Sequence, residues 1–374
     1  MTGTNNQAVQ LCKFVSNGSE EPSLELNVKA FKEIIGKASD KLIAIYCISG
    51  KYRSGKSFIL GLFLQYLQNN GSADWIDRPV KHSFKYSNSD EGVTSGIWMW
   101  SEPFIRKDRS GRQVAVYLMD SQGWHDSNST LEENAKIFAL SSLLSSVMIF
   151  NVEKRISETD LKYLSDFSSN CLQMDAKADD SGDEQVFQKL IVLIRDWIST
   201  GDEGFPFGFY DNNTKIGGKD FLAKKLKPQS DQTSDAQKLR ELIHLIYKEV
   251  SACLLPYPGQ IVGKNVYKSS KMDPEFRSAL EGFVPALFDQ GKITTKTIGG
   301  KHVTGAELFS LALNWIKTIN SNTSDSSYLA LDLNKYHQAY QNALDDFETK
   351  VSYSISLAVT ISQMERNIFN QRYK

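Results

Sequence analysis

Cysteine is scarce and scattered: Cys12, Cys47, Cys171 and Cys253 are four residues in a chain of 374. None forms a CxxC pair, and no His/Cys spacing of a zinc site accompanies them. This excludes a disulfide framework and a structural zinc, and fits reduced thiols in a cytosolic setting. A charge excess is missing too, since 43 Lys plus Arg stand against 44 Asp plus Glu, a net charge of −1. That balance removes the electrostatic case for a nucleic-acid partner. Long hydrophobic runs are absent as well. The most apolar window, Ile137 to Phe150, is 14 residues broken by four serines, short of the roughly 20 that a spanning helix needs. The start, Met1 to Gln10, is polar and lacks the basic-then-apolar order of a signal peptide. The chain as given reads as soluble, and membrane contact is expected only through segments outside it or a partner. There is no internal repeat.

What is present begins at residues 50–57, Gly-Lys-Tyr-Arg-Ser-Gly-Lys-Ser, a complete G-x-x-x-x-G-K-S phosphate loop. An apolar run, Leu42 to Ile48, precedes it and another, Phe58 to Leu67, follows, supplying the strand and helix that the motif requires. Gly50 and Gly55 let backbone N–H groups turn toward anionic phosphates without a Cβ in the way. Lys51, Tyr52, Arg53 and Ser54 form the crest of the loop. Lys56 supplies a mobile cation, and Ser57 a hydroxyl for Mg²⁺.

A metal-holding carboxylate is expected at the end of a neighbouring strand. Asp120 closes the apolar run Val114 to Met119 and opens Asp120-Ser121-Gln122-Gly123. In such a D-x-x-G segment the aspartate reaches Mg²⁺ and the Gly123 N–H senses the γ-phosphate. Thr94, before the aromatic strand Ile97 to Trp100, can lend its hydroxyl to Mg²⁺ and its carbonyl to the attacking water. The common N/T-K-x-D base motif is not found. Instead the strand Lys189 to Ile194 ends in Arg195-Asp196, where Asp196 can accept both hydrogen bonds of the guanine edge; the bland alternative is a surface ion pair worth little.

Further strands are expected at Val9 to Val15, Gln113 to Asp120, Ser146 to Val152 and Lys189 to Asp196, and helices at Leu26 to Lys37, Leu131 to Leu144 and Ala236 to Val250. Arg106 to Gly111 reads as a hairpin turn, and Ala176 to Glu184 and Thr200 to Lys219 as polar loops. Alternating strands and helices predict an α/β fold, a mixed, mostly parallel sheet covered by helices on both faces. It occupies residues 1–319. A polar linker follows at 320–332, then a helical segment at 333–374, in which Tyr336, Tyr340, Ala343, Phe347 and Val351 line one face. That face meets either a partner or its own domain. Val351 to Ile361 alternates with a strand-like period of two, and helix is the favoured reading.

Gly50 to Ser57, Thr94 with Gly96 and Ile97, Asp120 to Gly123 and Arg195-Asp196 resemble the four nucleotide motifs of the atlastin and guanylate-binding-protein branch of the dynamin superfamily. Ile137 to Ser141, Leu193 to Trp197 and Leu254 to Gly259 are similar to atlastin segments in the same order. The resemblance spans Val9 to Lys317 and departs at Ser121, where atlastins usually carry threonine. It implies a GTP hydrolase with Mg²⁺ as cofactor, and Arg53 as an arginine finger supplied in cis. It also implies GTP-dependent homodimerisation that tethers and fuses endoplasmic reticulum membranes, on the cytosolic face, through an anchor not in this chain. Residues 333–374 are about half of what a three-helix middle domain needs at ordinary helix lengths. The alternatives are a soluble GTP-dependent regulatory module and a soluble immune-type guanylate-binding protein.

Overall fold

The computed structural model describes residues 6–15, 22–78, 84, 95–124, 129–175, 187–198, 205–209, 217–229, 232–259 and 269–321. The chain divides into two units after Ser326, and the described residues all belong to the first. In chain order the elements are β1 (Ala8–Val15), β2 (Ser23–Leu26), α1 (Val28–Gly36), β3 (Leu42–Gly50) and α2 (Lys56–Gln68). Next come β4 (Ile97–Trp100), β5 (Phe104–Lys107), β6 (Gln113–Ser121), α3 (Leu131–Leu144), β7 (Val147–Glu153) and α4 (Glu158–Asp175). The rest are β8 (Phe187–Arg195), α5 (Gly218–Leu226), α6 (Ser234–Ile246), β9 (Tyr247–Leu254), α7 (Pro274–Phe288), a small hairpin of β10 (Thr297–Ile298) and β11 (Lys301–His302), and α8 (Gly305–Ser321).

The main sheet runs β2-β1-β4-β6-β3-β7-β8-β9, with β5 paired to β6 as well. Strands β6, β3, β7, β8 and β9 run parallel to one another, whereas β4 and β5 pair antiparallel with β6, and β1 antiparallel with β2 and β4. The expected α/β architecture is therefore the observed one. From Ile43 to Gly50 every β3 residue is buried, because both faces of the central strands are covered. On one face Ala44, Tyr46 and Ile48 pack against α2 and α7. There Phe63 meets Phe283 and Phe288 with ring centroids 5.8 and 5.3 Å apart, each pair worth roughly 0.5–1.5 kcal/mol beyond its buried area. On the other face α1, α3 and α8 pack together, and the Tyr117 hydroxyl of β6 donates to the Ile34 carbonyl of α1 at 3.0 Å.

Local signals set the element ends. The Asn27 side chain accepts from the Ala30 N–H and starts α1, so the helix expected from Leu26 begins two residues later, after the short strand β2. Thr130 and Glu133 form a reciprocal capping box at α3. The Arg106–Gly111 turn lies between β5 and β6, where Asp108 accepts from the Ser110 and Arg112 N–H groups at 2.9 Å each. One expectation is corrected. The helix placed over Ala236 to Val250 stops at Ile246, and Tyr247–Leu254 is β9, parallel to β8. The pleated edge beside β8 offers Ser251 to Leu254 full burial, which outweighs the helical spacing of Leu239, Leu242, Ile243 and Ile246.

The polar loop expected over Thr200 to Lys219 gives way to α5 at Gly218. Most of that loop, the Ala176 to Glu184 loop and the tail beyond Ser321 lie outside the described residues. Among the described residues no helix is long and apolar enough to cross a membrane. Cys12, Cys47 and Cys253 are free and buried, and burial pushes the Cys12 thiol up to about 12.

Candidate functional site

Parallel strands end on one side of the sheet, and register decides which of their last residues meet. Ile48 of β3 lies opposite Asp120 of β6, Gly50 opposite Asn151 of β7, and Glu153 of β7 opposite Arg195 of β8. The segments singled out at 50–57, 120–123 and 195–196 thus converge at the carboxyl ends of four adjacent strands, where open α/β sheets carry their ligands.

The loop from Gly50 to Ser57 joins β3 to α2, and Gly55 is the residue before the first helical turn, at φ +75°. A side chain there would be strained in the left-handed region, and its Cβ would lie 3.0 Å from the Arg195 guanidinium. The helix α2 begins directly after this loop, and a helix N-terminus presents backbone N–H groups, the ordinary basis of a phosphate cradle. Lys56 is buried and donates to the Gly50 and Lys51 carbonyls at 3.1 and 3.0 Å. Burial pulls its ammonium down to about 8, opposed by the Asp120 carboxylate and reinforced by Arg195. Ser57 Oγ donates to Asp120 Oδ2 at 2.7 Å, so the structure brings this hydroxyl and this carboxylate together.

The segment after β6 lies directly on the loop. The Tyr52 N–H donates to the Trp124 carbonyl at 2.8 Å, and the space where a Gly123 side chain would sit is filled by the Tyr52 backbone and Lys56 Nζ. Ser121 Oγ donates to the Ile48 carbonyl at 2.9 Å, a bond that a threonine would also offer. Thr94 lies outside the described residues. The stem of its loop is held by Gln122, whose Oε1 accepts from the Gly96 N–H and whose own N–H donates to the Gly96 carbonyl, both at 2.7 Å.

Arg195 and Asp196 sit at the rim. Their side chains are 16% and 20% exposed and 3.9 Å apart at the closest charged atoms, which is a half-buried arrangement and not a solvated surface pair. Burial lowers the Arg195 guanidinium and raises the Asp196 carboxyl, each countered by the other's charge. Asp196 stands at φ +53°, an uncommon conformation for a residue other than glycine.

Two residues that carry no sequence motif also belong to the site. Asn151, fully buried at the end of β7, donates from Nδ2 to the Ser54 carbonyl at 2.9 Å and to Ser54 Oγ at 2.7 Å. Asp160 in the first turn of α4 pairs with Lys51 Nζ at 3.0 Å. The Lys51 side chain is thereby directed to α4. Arg53, at φ +58°, places its guanidinium 5.6 Å from the Tyr52 ring centroid. A glycine at a strand's end is the one visible signal for Asn151, since close backbone approach there implies a neighbour.

A strand-to-helix glycine loop of this kind, with a lysine folded under it, is the property of one class of α/β protein, the P-loop nucleotide-binding domains. Residues 21–296 match the family model of the guanylate-binding protein N-terminal domain. Similar proteins include Atlastin-1 of Mus musculus, 33% identical over 306 residues, covering 80% of this chain and 52% of the relative. Atlastin of Drosophila melanogaster is 31% identical over 319 residues, covering 82% and 57%, and Atlastin-3 of Mus musculus is 34% identical over 308, covering 80% and 55%. The chain belongs to the guanylate-binding protein N-terminal domain family, in the atlastin-like branch of the dynamin superfamily of large GTPases. It spans about half the length of the curated relatives it matches.

Proposed function

We propose that this chain binds GTP with Mg²⁺ and hydrolyses it to GDP and phosphate. The observation that carries the reading is the meeting of Ser57 Oγ with Asp120 Oδ2 beneath a loop whose lysine is already buried. A hydroxyl beside a carboxylate is a hard oxygen pair of the kind Mg²⁺ takes alongside waters and phosphate oxygens. Ser57 and Asp120, with Thr94, would hold the ion, which when bound neutralises charge on the terminal phosphates. Lys56, its charge disfavoured by burial, would be held in the charged form by phosphate anions. Gly123 lies against the loop, and its N–H would sense a terminal phosphate. Arg53 at the crest would stabilise charge on the transferring group. Asp196, on the rim beyond Gly55, would read guanine.

The remaining parts of the reading rest on the family. They are nucleotide-dependent homodimerisation through this domain, a helical segment after a linker as part of a middle domain, and tethering and fusion of endoplasmic reticulum membranes through an anchor. Binding of fluorescent GDP and ADP to the wild type and to Asp196→Asn tests the base assignment. A site built around a carboxylate rejects a base lacking both donors by about 10⁴-fold or more. Equal binding of the two nucleotides, or GDP binding untouched by Asp196→Asn, refutes it.

A further inference from the structure

Arg53 holds a left-handed backbone conformation, at φ +58°, that residues with a Cβ disfavour, so something must fix the chain on either side of it. Two residues before it, the Lys51 side chain is tied to Asp160, which is 3% exposed and whose other oxygen accepts from Ser157 N–H and Oγ at 3.0 and 2.6 Å. One residue after it, both the carbonyl and the hydroxyl of Ser54 are held by Asn151. Asn151 is wholly buried, and its Oδ1 has no hydrogen-bond partner. A buried amide with half its capacity unmet is retained at a cost, and the half that is met points at the crest. The two anchors lie nine positions apart, one near the end of β7 and the other in the first turn of α4, so a single stretch of chain holds both shoulders of the loop.

We infer that Asn151 and Asp160 are positioning residues that bracket the phosphate loop and set the direction in which Arg53 projects. The inference rests on the proposed hydrolysis, in which Arg53 meets the transferring phosphoryl group. Misplacing such a group by about 1 Å is worth about 10²-fold in rate. The bracket therefore acts on kcat through Arg53, and removing it matters only while Arg53 is present.

Two alterations test this in the full chain, each made alone and combined with Arg53→Ala: Asn151→Ala, and the pair Lys51→Met with Asp160→Asn, which leaves no lone buried charge. At saturating GTP and Mg²⁺, each bracket alteration is expected to lower kcat about tenfold or more, yet by less than about twofold in the Arg53→Ala background. The same factor in both backgrounds, or wild-type kcat in the Arg53 parent, overturns the inference. If thermal melting shows Asn151→Ala unfolded, the Lys51/Asp160 pair decides alone. A wild type without GTP turnover refutes the proposed hydrolysis, and amide exchange across residues 51–55 in the nucleotide-free protein then judges the bracket. Exchange at least about tenfold faster in the Lys51/Asp160 variant supports it, and unchanged exchange overturns it.

Discussion

Replacing Gly123 by alanine adds one methyl group where the structure has no room for it. The new Cβ would lie 2.6 Å from Tyr52 Cα, 2.7 Å from Tyr52 N and 2.8 Å from Lys56 Nζ. Two of these three neighbours are backbone atoms of the phosphate loop, whose Tyr52 N–H is bonded to the Trp124 carbonyl at 2.8 Å. Neither side can yield without breaking that bond, so the loop and the segment after β6 must separate by several tenths of an ångström. Overpacking of this kind costs about 1–3 kcal/mol. The same shift moves Lys56 and the Gly123 N–H from where a terminal phosphate would lie, which predicts a loss in turnover of about 10²-fold. Steady-state phosphate release and thermal melting of the nucleotide-free protein read the two effects separately. Wild-type turnover together with an unchanged Tm would show that the two segments do not bear on one another.

Lys56 makes stability depend on pH in a defined direction. Burial lowers its folded value from 10.5 to about 8, so between those limits the unfolded chain binds this proton more tightly than the folded one. Stability of the nucleotide-free protein from this group therefore rises with pH from about 8 to 10.5, and Lys56→Met removes that rise; parallel melting profiles for the two proteins would exclude it. Arg53→Ala is expected to lower kcat by about 10³-fold while leaving nucleotide affinity within a small factor, checked by turnover beside fluorescent GDP titration. Light scattering is expected to find a monomer with GDP and a dimer with a non-hydrolysable GTP analogue, and a monomer in both states would reject nucleotide-driven pairing.

The phosphate loop was legible because its chemistry dictates residue types at fixed spacing: no Cβ at Gly55, a cation at Lys56, a hydroxyl at Ser57. Asp120 was legible because it ends an apolar run, and a parallel sheet brings strand ends to one rim. Asn151 and Asp160 were not. Their partners, Ser54 and Lys51, are about a hundred residues away in sequence, and the register of β3 with β7 that joins them leaves no local pattern. The strand β9 was hidden for a different reason. Helix α6 passes straight into it at Tyr247, with neither glycine nor proline to mark the change, and the apolar spacing of the helix runs on to Val250. Asp160 draws the Lys51 side chain toward α4, a direction that its place in the motif does not reveal.

Nucleotide turnover by this chain is the most direct test of a GTP-hydrolysing site. Phosphate release should be followed with GTP and with ATP, each with and without Mg²⁺, for the wild type and for Lys56→Ala. Release from GTP alone, dependent on Mg²⁺ and lost in Lys56→Ala, is the predicted result. Equal release from ATP, release without Mg²⁺, or release that survives Lys56→Ala would contradict it.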